Sequence, residues 1–375
     1  MKNKKTKEKS SLAQGAPRRV FVPEVTPLHT VETSLYSAVR EAVPIIDAAL
    51  LKLVRLCGGF EVVCSDKKIE RKLRNFFDTV SVGGGVGVNT FLERYLDSLL
   101  CYGNAVGEIV LNSDKTEIIG LYNAPLENVE LKQGKSSLDP EILIRTQTGE
   151  LVYPSYPHLI FFTPLNPRSG EFKGRSLLSG LEFFASILTT VYKSVGQNFE
   201  RAGNVRYAVN YNPPAEFANS EYSNDIAKNI AQEWADGMNA TKNGVVKDFV
   251  AVGDVDVKVI GAGNVMPEVQ IPVRALCEQI VAKLGVPPFM LGLSWSTTER
   301  MSSQQADILT SELTAYRRHL EPIIKKIADT FLALNFSDGE VKVKWSEINL
   351  QDEVELARAE LYRAQAWQIK EGKNQ

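Results

Sequence analysis

Gly285-Val-Pro-Pro-Phe-Met-Leu-Gly292 separates two segments that have helical spacing, and this stretch decides the fold. Proline has no backbone N–H, and its ring restricts the residue before it. Pro287 and Pro288 must therefore end the first helix near Leu284. The chain is expected to turn here at a rigid elbow before the second helix begins.

A polar run, Leu293 to Arg300, follows the elbow and predicts an exposed loop. Ser296 and Glu299 have the spacing of a capping box, which would start the next helix. That helix is predicted from Ser302 to Asn335, a length of roughly 50 Å. Pro322 lies inside it and predicts a kink. The helix is identified by apolar residues at steps of three and four: Leu309, Leu313, Tyr316, Leu320, Ile324, Ile327, Phe331 and Leu334.

Another long helix is predicted upstream, from Ser176 as the N-cap to Gly203 at its C-terminal end. Its apolar face comprises Leu177, Leu181, Phe184, Leu188, Val191, Val195 and Phe199. At about 1.5 Å per residue it would reach roughly 40 Å. Insertion into a bilayer is excluded by the polar and charged residues Glu182, Lys193, Gln197, Asn198, Glu200 and Arg201.

The N-terminal part of the chain has alternating helical and strand patterns, which predict an α+β unit. Helices are expected over Val31–Leu56, interrupted near Pro44, and over Lys67–Val80 and Thr90–Cys101. A short strand is expected at Phe60–Cys64. The remaining strands are predicted to form one small antiparallel sheet: Ala105–Leu111, Ile118–Tyr122, Val129–Leu131, Ile142–Thr146 and His158–Phe162.

Gly83-Gly-Gly-Val-Gly87 precedes one of these helices and has two interpretations. A glycine-rich turn before a helix could bind phosphate, but no GK[ST] motif follows it and no GxGxxG turn is present. A flexible loop is the simpler interpretation.

Residues 204–264 form an insert between two helices, with strand patterns at Val205–Tyr211 and Val245–Ile260 and a helical pattern at Asn224–Met238. A compact α/β module is expected. After the long C-terminal helix, a strand is predicted at Val341–Trp345 and a final helix at Leu350–Ile369.

Composition describes an ordinary folded protein of 375 residues, too long for one hydrophobic core. A formal net charge of −2 argues against a protein whose main task is a tight, nonspecific grip on DNA. Residues 1–25 are basic and predict a disordered arm, without the apolar core of a secretory signal. No run of apolar residues is long enough for a membrane span.

Cysteines and histidines are scattered, which predicts reduced, mostly buried thiols rather than a disulfide framework or a zinc site. The residues are Cys57, Cys64, Cys101 and Cys277, with His29, His158 and His319. Acidic pairs at Asp254 with Asp256 and at Asp352 with Glu353 could bind a cation or simply be solvated surface groups. No metal site and no cofactor is predicted.

Two upstream motifs complete a pattern that resembles tailed-bacteriophage portal proteins: Tyr102-Gly-Asn-Ala-Val-Gly-Glu-Ile109 and Gly170-Glu-Phe-Lys-Gly-Arg-Ser-Leu-Leu178. With the GVPPxxLG elbow, the Ser/Thr-rich loop and the long helix containing Leu-x-Pro, they cover most of residues 90–335. The resemblance implies a portal fold with named parts. These are a small β-rich wing (26–175), stem helices (176–203 and 265–285), an inserted α/β clip (204–264), a tunnel loop (286–300), a kinked tunnel helix (301–335) and a short crown (336–375).

The same resemblance implies a ring, twelve subunits in the family, which is the channel for genome packaging and ejection and the platform that joins head to tail. The implied partners are further copies of the chain, the terminase large-subunit ATPase, major capsid or scaffold protein, a head-completion protein and double-stranded DNA held weakly. The implied location is the virion, with assembly in the host cytoplasm.

Three groups of residues are candidates for this function. The DNA-channel loop would use hydroxyls and one cation, which suit brief phosphate contacts: Ser294, Ser296, Thr297, Thr298 and Arg300. The hinge would comprise Gly285, Pro287, Pro288, Gly292 and Pro322. The face of the clip toward the terminase would include Asp225, Lys228 and Trp234.

No catalytic set of residues is found, because the GxSxG, HExxH, P-loop and kinase motifs are absent from the sequence. ATP hydrolysis is therefore expected to come from a separate terminase, and the chain is not expected to be an enzyme. The alternative hypothesis is an enzyme of unrecognised type with a cleft between the N-terminal sheet and the helices. A solvent-exposed connector remains the simpler interpretation of the Ser/Thr-rich loop.

Overall fold

A computed structural model describes residues 25–134, 140–203, 206–213, 216, 220–242, 254–260, 268–293, 299–337, 339–348, 350, 361, 362, 365 and 367. The chain divides into two compact units. Unit 1 comprises residues 1–187 and 275–375, and unit 2 comprises residues 188–274. Each unit is described by itself below.

The helices of the described residues are α1 (Val31–Ala42), α2 (Pro44–Leu56), α3 (Lys67–Thr79), α4 (Val88–Tyr102), α5 (Glu182–Gly203), α6 (Glu221–Lys242), α7 (Gln270–Leu284) and α8 (Glu299–Leu334). Short 3₁₀ helices occur at Leu126–Asn128, Pro157–Leu159 and Pro288–Leu291. No described helix is both long enough and apolar enough to span a bilayer.

The strands are β1 (Val25–Pro27), β2 (Phe60–Cys64), β3 (Ser81–Val82), β4 (Gly85–Val86), β5 (Asn104–Leu111), β6 (Ile118–Asn123), β7 (Val129–Gln133), β8 (Pro140–Arg145), β9 (Leu151–Val152), β10 (Ile160–Pro164), β11 (Arg206–Asn212), β12 (Asp254–Ile260) and β13 (Val341–Trp345). Together with the helices they confirm the α+β class.

The predicted interruption at Pro44 is confirmed, because this proline is the first residue of α2. Proline is favoured at that position, where its missing N–H has no helical partner. Arg40 of α1 ties three helices together: its Nε donates to Asp47 of α2 at 2.6 Å, and its Nη1 donates to Asp97 of α4 at 2.8 Å.

Helix α4 is the centre of the core of unit 1, and Phe91, Tyr95 and Leu99 on it are fully buried. A buried hydroxyl needs a partner. The Tyr95 hydroxyl lies 3.0 Å from the carbonyl oxygen of Ala105 and 2.9 Å from the hydroxyl of Thr163. It thereby joins α4 to both β5 and β10.

The prediction of one antiparallel sheet is wrong, since the strands of this region form two sheets. One has the order β10-β5-β6-β3-β4, and its β3–β6 pair is parallel. The other has the order β1-β7-β8-β9. The 3₁₀ helix Leu126–Asn128 redirects the chain between β6 and β7. Apolar side chains from both sheets then pack into one cluster: Leu28, Val106, Leu126, Val129, Leu131 and Ile160.

The glycine-rich stretch is a tight hairpin rather than the expected flexible loop, with β3 and β4 joined at Gly83-Gly84. Both glycines have positive φ, as such a turn requires. Arg94 of α4 donates to the carbonyl oxygen of Gly83 at 2.9 Å, which holds the turn against the helix. Phosphate binding at this stretch stays a prediction.

Helix α5 begins at Glu182, six residues after the predicted N-cap. Ser176 caps only a single turn, since its hydroxyl accepts from the N–H of Leu178 at 2.9 Å and donates to the carbonyl oxygen of Cys101 at 2.6 Å. Residues 177–180 form this turn, and Leu178 and Leu181 are buried. The helix cannot continue from this turn because Gly180 has φ +90°, outside the right-handed helical region.

The predicted strand Val341–Trp345 is confirmed, and it pairs antiparallel with β2 in unit 1. The resemblance to portal proteins implies that this strand belongs to a separate crown (336–375). Residues 351–360 and most of 361–375 lie outside the described part, so the prediction of a final helix at 350–369 falls largely there.

Unit 2 contains an antiparallel pair, β11 with β12, and helix α6. These elements confirm the predicted strand and helix patterns, although residues 243–253 of the predicted second strand lie outside the described part. On α6 the side chain of Ser223 is buried, while Ile226, Ile230 and Trp234 are half-buried.

Candidate functional site: the elbow, the loop and the clip

The elbow between α7 and α8 follows the proline rule. Helix α7 ends at Leu284, and the N–H of Gly285 donates to the carbonyl oxygen of Val281 at 3.0 Å. Gly285 has φ +68°, the left-handed conformation that commonly ends a helix. Val286 and Pro287 are buried after it, and Pro288 starts the 3₁₀ helix.

Gly292 ends the elbow in the same way, with φ +75°. Its N–H donates to the carbonyl oxygen of Phe289 at 3.3 Å, and that of Leu293 donates to Pro288 at 3.1 Å. A Cβ added to Gly285 or Gly292 would meet no atom within 4 Å. Glycine is therefore needed at both positions for backbone conformation and not for space.

Four of the five loop residues, Ser294, Ser296, Thr297 and Thr298, lie outside the described residues. Arg300 is described, and it is an exposed residue in the first turn of α8. Its role in DNA contact remains a prediction.

Helix α8 runs from Glu299 to Leu334, close to the predicted bounds, and contains Pro322. The proline is exposed, whereas Ile323, Ile324 and Ile327 are buried. Proline cannot donate the helical hydrogen bond to residue 318. The break in the ladder therefore lies on the solvent side of the helix.

The candidate clip residues lie on α6 in unit 2. Asp225 and Lys228 are exposed and form an ion pair of 3.7 Å, one helical turn apart. Trp234 is half-buried. These residues belong to unit 2, whereas the elbow belongs to unit 1.

A junction that sequence reasoning missed joins the two upstream motifs. The N–H of Gly174 donates to the side-chain oxygen of fully buried Asn104 at 2.8 Å. The N–H of Leu165 donates to the carbonyl oxygen of Gly103 at 2.8 Å. Each motif contains glycines, but only the structure shows that Gly103 and Gly174 meet.

The family model described as phage portal protein matches residues 86–371, about three quarters of the chain, including the elbow, the loop and α8. The chain belongs to the phage portal protein family. Members of this family are structural proteins of the capsid vertex. This portal protein therefore has its place in the virion, as the channel for the genome and the joint between head and tail.

Solved structures similar to the portal chain come from gene transfer agent (GTA) particles. A chain in the neck of a native particle, computed with C12 symmetry, has a TM-score of 0.60 at 14% identity over 89% of each chain. One in the neck of an empty particle, computed with C6 symmetry, has 0.62 at 14% identity over 94% and 92% of the two chains. A chain of the native virion has 0.60 at 16% identity over 96% and 92%. These similarities show the portal fold. A search of curated proteins found no match.

The enzyme alternative gains no support from the cleft between α2, α4 and β13. This cleft has a volume of about 210 Å³ and is lined in part by Cys57, Glu93 and Trp345. Burial raises the pKa of the Cys57 thiol to about 12, although nearby Arg317 acts in the opposite direction. A thiol that is protonated at neutral pH is a poor nucleophile. Among the described residues, no cluster of potential metal ligands occurs.

Proposed function

We propose that the portal chain assembles into a closed ring of twelve identical subunits around a channel that carries double-stranded DNA. The wing, stem, clip and tunnel assignments made from the sequence belong to this proposal. The strand pairing of β13 with β2 changes one of them, and we place the start of any crown after Trp345.

The observation that carries the ring is the unburied part of helix α5. From residue 189 to residue 200, no side chain of this helix is buried. Tyr192 and Phe199 are 56% and 59% exposed. A large exposed apolar surface on a soluble chain usually marks an interaction site, and burying one such side chain is worth about 1.5–3 kcal/mol. A neighbouring subunit would cover this surface in a ring.

The number twelve is supported by the C12 symmetry with which the native GTA neck was computed. Twelve copies of a 41.6 kDa chain give a ring of about 500 kDa. A symmetric ring requires that the same surfaces meet at every subunit boundary. An exposed helix face repeated in each copy meets this requirement.

The proposed partners are the terminase ATPase, the capsid or scaffold protein and the head-completion protein. We propose that the portal chain hydrolyses no nucleotide itself and that the terminase supplies the energy of packaging. The DNA contacts would be weak and independent of sequence. Five candidate residues per subunit, four with hydroxyl groups and Arg300 with a charge, suit contacts that form and break as the duplex slides.

The ring is tested by measuring the mass of the purified chain with light scattering and by imaging it in negative stain. We expect particles of about 500 kDa with a central hole. Tyr192→Glu should shift the protein toward monomer, because it places a charge on the proposed contact surface. Tyr362→Glu is the matched control, since Tyr362 is 66% exposed and lies outside α5. A monomer or dimer under all assembly conditions would overturn the proposal.

A further inference from the structure

Helix α8 is attached to unit 1 by two cationic side chains on opposite sides of Pro322. Arg317 lies five residues before the proline and Lys326 four residues after it. The two attachment points are therefore separated by roughly 14 Å along the helix. In each case a cation donates to a main-chain carbonyl oxygen and lies near an aromatic ring.

Arg317 makes the first attachment. Its Nε donates to the carbonyl oxygen of Cys57 at 2.8 Å, and its guanidinium carbon lies 5.0 Å from the centroid of the Trp345 ring. Cys57 is the C-cap of α2, where the helix dipole favours a cation. Arg317 is only 8% exposed, so this attachment is shielded from solvent.

Gly58 allows Arg317 to come this close. It has φ +68°, and a Cβ added to it would lie 3.2 Å from Nη2 of Arg317. The guanidinium is thus enclosed by the turn after α2 and by the indole ring of β13. One side chain joins α8 to both elements.

Lys326 makes the second attachment. Its Nζ donates to the carbonyl oxygen of Ile160 at 2.8 Å and lies 5.0 Å from the centroid of the Phe161 ring. Ile160 and Phe161 both belong to β10, which pairs with β5 inside the five-stranded sheet. The part of α8 after Pro322 is therefore attached to a sheet, whereas the part before it is attached to α2 and β13.

Among the described residues, no carboxylate forms an ion pair with Arg317 or Lys326. Both side chains are bonded to the main chain of well-packed elements, so their positions are determined by the fold and not by a mobile acidic partner. A cation near an aromatic ring adds about 0.5–2 kcal/mol, depending on its burial. The buried residues Leu320, Ile323 and Ile324 fill the space between the two attachments.

We propose that Arg317 and Lys326 are positioning residues that clamp α8 on both sides of Pro322, so that the helix is held in one conformation at this proline and does not hinge there. Any change of direction transmitted from the elbow is then taken up before Ala306, because residues 300–305 have no buried side chain whereas Ala306, Leu309 and Leu313 are buried.

The test is a set of double-mutant cycles on the full-length chain, read by hydrogen exchange of the α8 amides around Pro322. Arg317→Met should raise their exchange rate about tenfold, the effect of losing roughly 1.4 kcal/mol. Lys326→Met should do the same. Arg318→Met is the matched control, because this neighbouring cation is exposed, and it should not change the rate comparably.

Pro322→Ala separates a clamp from general stabilisation of the fold. If the clamp holds, this variant slows exchange much more in the Arg317→Met background than in the native background, because only an unclamped helix bends at the proline. An equal effect in both backgrounds overturns the proposal.

Lys326→Arg provides a second check, because it keeps a cation over Phe161 and should retain native exchange. Loss of protection equal to that of Lys326→Met would contradict the clamp. If Arg317→Met does not fold, the effect of Pro322→Ala is compared between the Lys326→Met background and the native background, and the same outcomes support or overturn the proposal.

The clamp does not depend on the ring, because all its contacts lie within unit 1. Its relevance to DNA passage does rest on the proposed function. The purified chain could be monomeric while the effects of Pro322→Ala and Arg317→Met on hydrogen exchange are non-additive. That result would support the clamp and reject the ring.

Discussion

Gly103 and Gly174 lie in direct backbone contact, since a Cβ added to Gly174 would stand 2.0 Å from the carbonyl oxygen of Gly103. Gly103 ends α4 with φ +77°, and a Cβ on it would lie 2.3 Å from the carbonyl carbon of Arg175. The two motifs at residues 102–109 and 170–178 therefore form one junction. Their glycines are required because no side chain fits between the two chain segments.

Gly174→Ala should destabilise unit 1 by about 3 kcal/mol or more, because main-chain atoms must move to make room for the methyl group. Gly170→Ala is the control: it has φ +83° but nothing within 4 Å, so only the cost of the left-handed conformation, about 1–2 kcal/mol, is expected. Urea unfolding measures both variants. Equal losses of stability in the two variants would show that Gly103 and Gly174 are not in tight backbone contact.

Alanine at Ser296, Thr297 and Thr298 should lower the amount of DNA packaged per head while leaving ring assembly unchanged. The reason is that these hydroxyls are proposed to contact DNA phosphates and take no part in the proposed contact between subunits. Arg300→Ala should have a larger effect that diminishes as salt is raised, because a charge contact is screened. Unchanged packaging in both variants would remove the DNA-contact role from the loop and leave the ring assignment intact.

Exchange of the charges at Asp225 and Lys228 tests the clip. The pair is exposed and separated by 3.7 Å, so Asp225→Lys with Lys228→Asp should change stability by no more than about 0.5 kcal/mol. Binding to the terminase should weaken if this face contacts the motor. Binding assays compare the affinity of the native ring and of the variant ring for the terminase. An unchanged affinity would show that the terminase contacts another surface. The matched control exchanges the charges of Lys258 and Asp256, an ion pair of 3.1 Å on β12 in the same unit.

Glu70 should make stability depend on acid pH. Its pKa is lowered, first because the N–H of Cys64 donates to its carboxylate at 3.0 Å and second because Lys67 lies 3.3 Å away. A group with a depressed pKa stabilises the fold above its unfolded pKa and loses this effect as pH falls through the folded value. Thermal unfolding below pH 5 should therefore show a shallower pH dependence in Glu70→Gln than in the native chain. Identical profiles would contradict the prediction.

The elbow could be predicted from sequence because its causes are local. Two adjacent prolines end a helix wherever they occur, and the glycines on either side supply the left-handed turns. The bounds of α7 and α8 near Leu284 and Leu334 follow from the same local rules and from apolar spacing. The sequence also contained the pattern of β13, because alternation in a strand is a local property.

The start of α5 could not be predicted, because it depends on the conformation that the fold gives to Gly180. Ser176 is a good N-cap by residue type and does accept from the N–H of Leu178, but Gly180 has φ +90° and ends that turn. The Ser176 hydroxyl also bonds to Cys101, 75 residues earlier, which is a nonlocal contact. The division of the strands into two sheets is similarly nonlocal, since strand patterns do not specify neighbours. Arg317 on α8 looked like an ordinary helix residue, and only folding reveals its contact with Cys57, 260 residues away.

The pairing of β2 with β13 also sets an order of events on the ribosome. Val341 and Cys64 are opposite each other in the sheet but 277 positions apart in the chain. Chain synthesis proceeds at about 5–20 residues per second, so roughly 14–55 s pass between the synthesis of β2 and that of β13. During that time its edge is open to pairing with other nascent chains. Expression yield should therefore depend on chaperones more than the stability of the finished protein suggests.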